Sequence, residues 1–407
     1  MPDISKQNGI EMADIAKINE QDVPSGGGGA SEPTSGIISI GGGSSSSNIL
    51  AHTPVQRVFQ TVEFHSSVSS PPGASDIAKI KGGRYILGML DNSGNLFLIG
   101  PGADANVGQN FVYGGKRRQF GLVLTSVAEF SCGDNHTLAV KTDGTLWGVG
   151  TGGDGQFGDG TSNRYTNFSQ IGTDTDWSKV ACGEDYSLAI KTTGALYSAG
   201  KNQDGRTGQG TTSGDTTSWT QIGTDTDWTQ ISAGQRTSAA IKGGTLVTWG
   251  DDTSNCLGLS SSGDQSSPGT ASSDTDWQSV HVGANYIKAI KTTNGHHYHC
   301  GAGGSFGGGT RGDGSTSSTS TFTRIGSDTG WTEFLELKYT SFTYYAAGKK
   351  SGSWYVCGRY DGVPYIRVNG VSTTSNTTTF VQLTSPSPSI IGLANPESGR
   401  PEFIYVV

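Results

Sequence analysis

Strong charge of either sign is missing from this 407-residue chain, and so is any long apolar run. Charged residues make up 15% of it and the net charge is −8. The densest basic stretch is Lys116-Arg117-Arg118, too short to neutralise a row of phosphates, so a nucleic-acid face is not expected. No stretch approaches the ~20 apolar residues of a membrane-spanning helix, so no membrane insertion is expected. The opening Met1-Pro2-Asp3-Ile4-Ser5 has neither the cationic head nor the apolar core of a secretion signal, and synthesis in a cytoplasm is expected. Cysteine is scarce, with five in all. Cys132 and Cys182 stand 50 apart, each before a Gly, and Cys300 and Cys357 also each precede a Gly. Cysteines at equivalent positions of different repeats need not meet. Free buried thiols are therefore expected, rather than disulfides or a metal centre.

Glycine, at 64 residues, is abundant, and Ser and Thr accompany it. Aromatic and β-branched residues recur among them on a regular beat, which speaks for strands rather than disorder. The beat is an internal repeat. One copy runs from Trp177 through Ser187-Leu-Ala-Ile-Lys191 and a Gly turn to Ala195-Leu-Tyr-Ser-Ala-Gly200. Others start at Trp228, Trp277 and, more divergently, Trp331; upstream, Val127 replaces the Trp, and a weaker copy begins at Ile77. The starts are spaced 50, 50, 51, 49 and 54 residues apart.

Within a copy, the alternation after Trp reads as a short strand ending at Gly, and Ser-Leu-Ala-Ile-Lys as a second. Thr-Gly or Asp-Gly supplies a tight turn, because Gly accepts positive φ. Leu-Tyr-x-x-Gly is a third strand, followed by a Gly-rich loop and a fourth short strand such as Ser169-Gln-Ile-Gly172 or Thr220-Gln-Ile-Gly223. Four antiparallel strands per repeat make a propeller blade, whose faces are buried only by neighbouring blades.

These units resemble the regulator-of-chromosome-condensation repeat. The loop Gly155-Gln156-Phe157-Gly158-Asp159-Gly160 matches its Gly-Gln-Leu-Gly-Asp-Gly pattern with one change, and Gly205-Arg-Thr-Gly-Gln-Gly210 matches less closely. The resemblance spans roughly residues 75–384 and implies an all-β propeller of six to seven four-stranded blades, seven favoured. The last blade would then be a composite. Ser389-Ile-Ile-Gly392 and Pro401-Glu-Phe-Ile-Tyr-Val-Val407 would supply two strands, and Val58-Phe-Gln-Thr-Val-Glu-Phe64 another from the N-terminal side.

The N-terminal segment differs. Residues 1–24 double a short motif, Asp3-Ile4-Ser5-Lys6-Gln7-Asn8-Gly9 and then Asp14-Ile15-Ala16-Lys17-Ile18-Asn19. Residues 25–56, with Gly26–Gly29 and Gly41-Gly-Gly-Ser-Ser-Ser-Ser47, have the composition of a flexible linker. The propeller is expected over 57–407. The doubled motif resembles one of tailed-phage virion proteins, mostly tail and appendage proteins. That resemblance implies a docking tag in which Ile4, Lys6, Asn8, Ile15, Lys17, Ile18 and Asn19 engage another virion structural protein. Ordering such a segment costs entropy that only burial against a partner offsets.

Other candidates read as bland. The pairs Asp174/Asp176, Asp225/Asp227 and Asp274/Asp276 recur once per repeat, whereas a catalytic pair is needed once, so they read as turn residues bonded to nearby backbone N–H groups. His297 and His299 would share a strand face near His296, but no third metal ligand is spaced to join them, and they read as a surface cluster. Arg311-Gly312-Asp313 is an adhesion-like tripeptide of a Gly/Ser-rich loop. No Gly-x-Ser-x-Gly elbow marks a nucleophile, so neither a catalytic residue nor a cofactor or metal is expected.

Together these features predict a non-enzymatic structural protein of a tailed-phage particle. It would be made in the host cytoplasm, anchored in the virion by its tag and oligomeric through virion symmetry. The propeller would be turned toward a host surface protein or glycan, with Tyr165, Phe168 and Trp219 as candidate contacts. The alternative is an intracellular protein-binding propeller of exchange-factor or inhibitor type.

Overall fold

A computed structural model describes residues 77–84, 86–99, 121–259, 263–283, 285–303, 309–334, 343–360, 366–368, 371–373, 377–382, 390–397 and 400–406. The expected tag and linker, and the expected strand at Val58–Phe64, lie outside these residues.

The described chain is strand almost throughout. The first blade is β1 (Ile77–Gly82), β2 (Leu87–Asp91), β3 (Leu96–Ile99) and β4 (Gly121–Leu124); the second is β5 (Val127–Cys132), β6 (His136–Lys141), β7 (Leu146–Gly150) and β8 (Tyr165–Gln170). The third is β9 (Trp177–Cys182), β10 (Tyr186–Lys191), β11 (Leu196–Gly200) and β12 (Thr216–Gln221). The fourth comprises β13 (Trp228–Ala233), β14 (Thr237–Lys242), β15 (Thr245–Gly250) and β16 (Gln265–Ser272), and the fifth β17 (Trp277–Val282), β18 (Tyr286–Lys291), β19 (His297–Gly301) and β20 (Thr319–Arg324). The sixth has β21 (Trp331–Phe334), β22 (Thr343–Lys350) and β23 (Ser353–Tyr360), then a small hairpin, β24 (Ile366–Val368) with β25 (Val371–Thr373), before its outer strand β26 (Thr377–Gln382). A last hairpin pairs β27 (Ile390–Glu397) with β28 (Arg400–Val406) and runs alongside β1. The fourth strands begin earlier than their Gln-Ile-Gly segments suggest, because the polar residues before them already pair with the third strand, as in Gly150↔Tyr165 and Gly200↔Thr216.

The first five blades are antiparallel meanders in which consecutive strands are neighbours, and in the sixth β26 pairs with β23 after the intervening hairpin. First strands of successive blades, β1, β5, β9, β13 and β17, approach one another and so line the propeller axis. Each of these strands shifts register just after its first residue, as at Val127/Glu129, Trp228/Gln230 and Trp277/Ser279. Such a bulge adds twist and turns the leading Trp sideways into the seam with the preceding blade.

The cores are these seams. Trp228 packs with Tyr186, Leu188, Leu196 and Trp249, and Trp177 with Leu138, Leu146, Phe157 and Cys182. Polar atoms also bridge seams: the Ser131 Oγ accepts from Cys182 N at 3.0 Å, the Ser232 Oγ from Val282 N at 2.9 Å, and Tyr186 Oη donates to the Thr237 carbonyl at 2.9 Å. All five cysteines are buried with free thiols. Among the described residues no helix is long and apolar enough to cross a membrane.

The repeated Asp pairs have a different role from the expected one. Lys191 Nζ lies 2.7 Å from Asp174 and 3.0 Å from Asp176, and 4.9 Å from the centre of the Trp177 ring. Lys291 repeats this with Asp274, Asp276 and Trp277, and Lys242 pairs with Asp225 over Trp228. The carboxylates hold the Lys that ends each second strand over the leading indole, where the ring face attracts the ammonium.

Candidate functional site

In a four-stranded meander the turn after the first strand and the loop after the third emerge at the same end. One end of the propeller therefore carries the turns 133–135, 183–185 and 234–236 together with the loop residues 151–164, 201–215, 251–259 and 263–264. A glycine fastens each turn to its loop. Gly150, Gly200 and Gly250 close the third strands at φ of +113°, +107° and +100°. A Cβ there would stand 2.4, 2.5 and 2.3 Å from the carbonyl oxygens of Asn135, Asp185 and Arg236. The same carbonyls accept from the next backbone N–H of the loop, that of Thr151, Lys201 and Asp251. Only Gly permits this approach. The loops in turn clip to the following blade, Gly160 N donating to the Thr217 carbonyl and Gly210 N to that of Ser266, each at 2.8 Å.

On this fixed frame stands a cluster of charge. Asp134 is 1% exposed; its Oδ2 lies 3.4 Å from Arg84 and its Oδ1 has no hydrogen-bond partner. Glu184 is 3.7 Å from the buried Arg206 and 3.8 Å from Arg236, and Asp204 is 3.1 and 3.6 Å from the same two guanidinium groups. Asp185 lies 3.6 Å from Lys201. Arg206 is positioned by donating Nε–H to the Gln203 carbonyl at 2.8 Å and by lying across the Tyr186 ring.

Acids outnumber bases here, for Asp154, Asp215, Asp251, Asp252 and Asp264 belong to the same loops. The imbalance shows in their acidity. Burial, reinforced by the Glu184 charge and only partly offset by Arg84, pushes the Asp134 carboxyl up to about 7. Burial and Glu184 raise Asp185, and burial and Asp185 raise Asp154. Such a cluster is under-neutralised, and an incoming cation would relieve it.

The residues singled out in the sequence fall elsewhere. Tyr165, Phe168 and Trp219 are half-buried and pack between blades. Tyr165 lies 5.2 Å from Phe157 and bonds Asp159, Phe168 backs the first seam, and Trp219 lies 5.2 Å from Trp177. Ile4, Lys6, Asn8, Ile15, Lys17, Ile18 and Asn19 lie outside the described residues. Arg311 and Asp313 pair with each other at 2.7 Å, and Gly312 sits against Phe380, so the tripeptide is closed on itself. His297 and His299 do share a face of β19, but both are buried, which corrects the surface reading. Among the described residues no group of three or more His, Cys, Asp or Glu is placed to hold a metal ion.

The acidic face itself was missed. Its signal was present as Gly133-Asp134-Asn135, Gly183-Glu184-Asp185 and Gly234-Gln235-Arg236, polar pairs at one repeat position directly after the first-strand glycine.

Residues 127–156 and 177–206 match the Regulator of chromosome condensation (RCC1) repeat family. Over 87 residues the chain is 37% identical to a human protein described as probable E3 ubiquitin-protein ligase HERC4; the match spans 20% of this chain and only 8% of that protein. The fold resembles that of human WBSCR16, with a TM-score of 0.66 at 17% identity, covering 81% of this chain and 87% of the other. It also resembles yeast RCC1 (Prp20), solved bound to Kap60, with a TM-score of 0.65 at 15% identity and coverage of 81% and 80%. A second structure of Prp20p from Saccharomyces cerevisiae, whose title names binding to Gsp1p and histones, scores 0.65 at 14% identity, covering 81% of this chain and 82% of that one. The chain thus carries RCC1-type repeats on an all-β propeller that has six four-stranded blades among the described residues.

Proposed function

We propose that this protein is a non-enzymatic binding module that takes a basic surface of a partner protein on its acidic loop end. The observation that carries the reading is the cluster of Asp134, Glu184, Asp185 and Asp204, held on rigid turns with too few cations. Complementary charge steers encounter and fixes register, and pre-set loops spare the entropy of ordering. The titles of similar propellers point the same way, naming Kap60, Gsp1p and histones as bound proteins. The virion reading rests on the doubled Asp-Ile-x-Lys motif alone, and none of the proteins named above is a phage protein. The protein-binding alternative is therefore the better supported.

The test is titration of the full chain with Gsp1p and with core histones, the latter as a basic probe. Binding of one of them is expected to weaken with salt and to fall at least about tenfold in Glu184→Gln/Asp185→Asn. It should persist in Asp225→Asn at the opposite end. Failure to bind either probe, or equal binding by both variants, would reject the acidic face as the site.

A further inference from the structure

The fifth blade departs from the repeat at three buried positions that meet at one seam. Lys288 stands where the second, third and fourth blades carry Leu138, Leu188 and Ala239; His297 where they carry Leu146, Leu196 and Leu246; and His299 where they carry Gly148, Ser198 and Thr248. Lys288 and His299 face each other directly across β18 and β19. All three are at most 1% exposed.

Their partners are too few. Lys288 Nζ donates to the Arg311 carbonyl at 3.2 Å and otherwise faces the rings of Phe334 and Phe380 at 5.0 and 5.3 Å. Neither ring nitrogen of His297 has a hydrogen-bond partner, and the imidazole is wedged among Trp331, Phe334 and Phe380 with ring centres 4.9 to 5.5 Å away. His299 stacks on Tyr286 and bonds the Ala302 carbonyl through Nε2, leaving Nδ1 unpaired. Trp331, Phe334 and Phe380 belong to the sixth blade, so the His297 imidazole is part of the contact between blades five and six, and His299 lies on the same strand face behind it.

The titratable and charged groups around them are mostly cationic or neutral. From β18 comes Lys288, from β22 Lys350, and from the segment before β20 Arg311. On β17 His281 lies 6.0 Å from Phe334, and on β23 stands the buried Cys357, whose thiol burial pushes up to about 12. Asp313, the carboxylate nearest in charge to Lys288, is clamped by Arg311. Each cation repels a protonated imidazole, and the Arg311 carbonyl that also faces His297 is already bonded to Lys288.

We propose that the seam between the fifth and sixth blades is an acid-sensitive joint, opened by protonation of His297 and His299 while the other seams stay closed. Burial first, and then Lys288, hold both imidazoles neutral well below their ordinary 6.5. The unfolded or opened chain binds those protons more readily than the closed one. The stabilisation is therefore complete above 6.5 and is lost as pH falls below it. The corresponding Leu, Gly, Ser and Thr positions of earlier blades cannot titrate, and the buried imidazole of another seam, His136, is bonded to the Ser187 hydroxyl at 2.9 Å rather than wedged among rings and cations.

Hydrogen exchange on the full chain tests this, with rates corrected for the intrinsic effect of pH. Between about pH 7.5 and 5, protection in β18, β19 and β21–β23 is expected to fall at least about tenfold relative to β9–β14. His297→Leu/His299→Ser, which installs residues of the third blade, should abolish the difference. Even loss across all blades, or the same local loss in the double variant, would overturn the proposal. Should the double variant not fold, imidazole carbon NMR of the native chain decides. His297 and His299 titrating near the ordinary 6.5 would overturn the proposal, and both imidazoles staying neutral well below it while the seam is closed would uphold it.

Discussion

At the scale of single residues, the energetics of this protein turn on buried charge. Asp134 is a carboxylic acid enclosed on the loop end with one oxygen unpaired. Its pKa is raised from 3.8 to about 7, first by burial and then by Glu184. For an acid with a raised folded value, the native state holds its proton after the unfolded chain has lost its own. Stability is then full below 3.8 and falls as pH rises toward 7. Asp134→Asn keeps the shape and removes the titration. It should therefore stabilise the protein at pH 8 by on the order of 2 kcal/mol, with the gain vanishing near pH 4. Urea unfolding of both proteins across that range reads this directly; a gain that does not change with pH would mean that Asp134 is not the titrating group. The same substitution should weaken capture of a basic partner, so stability and binding move in opposite directions, as expected where a site keeps a destabilising charge for use.

At the scale of elements, most of the architecture was legible because each repeat states its own punctuation. Trp or Val opens the first strand, Lys ends the second and Gly ends the third, at spacings that hold from Val127 to Trp331. The fourth strands were placed late, since Thr216–Gln221 and Tyr165–Gln170 are exposed polar edges whose pairing, not their hydrophobicity, makes them strands. The loops were read as family pattern, and the structure supplies the reason for the pattern. Gly158 has φ +68°, and a Cβ on it would lie 2.6 Å from the Trp219 indole; Gly208 does the same beneath Trp249. The loop of one blade thus lies flat under an aromatic of the next. Gly158→Ala combines backbone strain with overpacking and should cost about 2–4 kcal/mol. Its denaturation midpoint should fall with the m-value unchanged, whereas a midpoint like that of the parent would show that the loop can lift away without cost.

At the scale of the whole molecule, what the sequence did not disclose was adjacency across seams and ends. Asp134, Glu184 and Arg236 lie about fifty residues apart from one to the next, and only the closing of successive blades around an axis sets them side by side. The burial of His297 is hidden for the same reason, because the rings that enclose it belong to a later blade. The end of the chain follows this logic as well. The hairpin of β27 and β28 pairs as its alternating residues suggest, and it runs along β1 on the side where, among the described residues, no other blade stands. A first strand with no neighbour would leave the inner edge of the first blade open, and such edges lose protection first and invite association. Deleting residues 390–407 should therefore accelerate amide exchange in β1 and β2 before any other blade, lower the thermal midpoint and promote self-association. If the truncated chain keeps full protection in β1 and β2, the six four-stranded blades support one another without the hairpin. Early loss confined to the first blade would instead identify the hairpin as part of a seventh position in the ring.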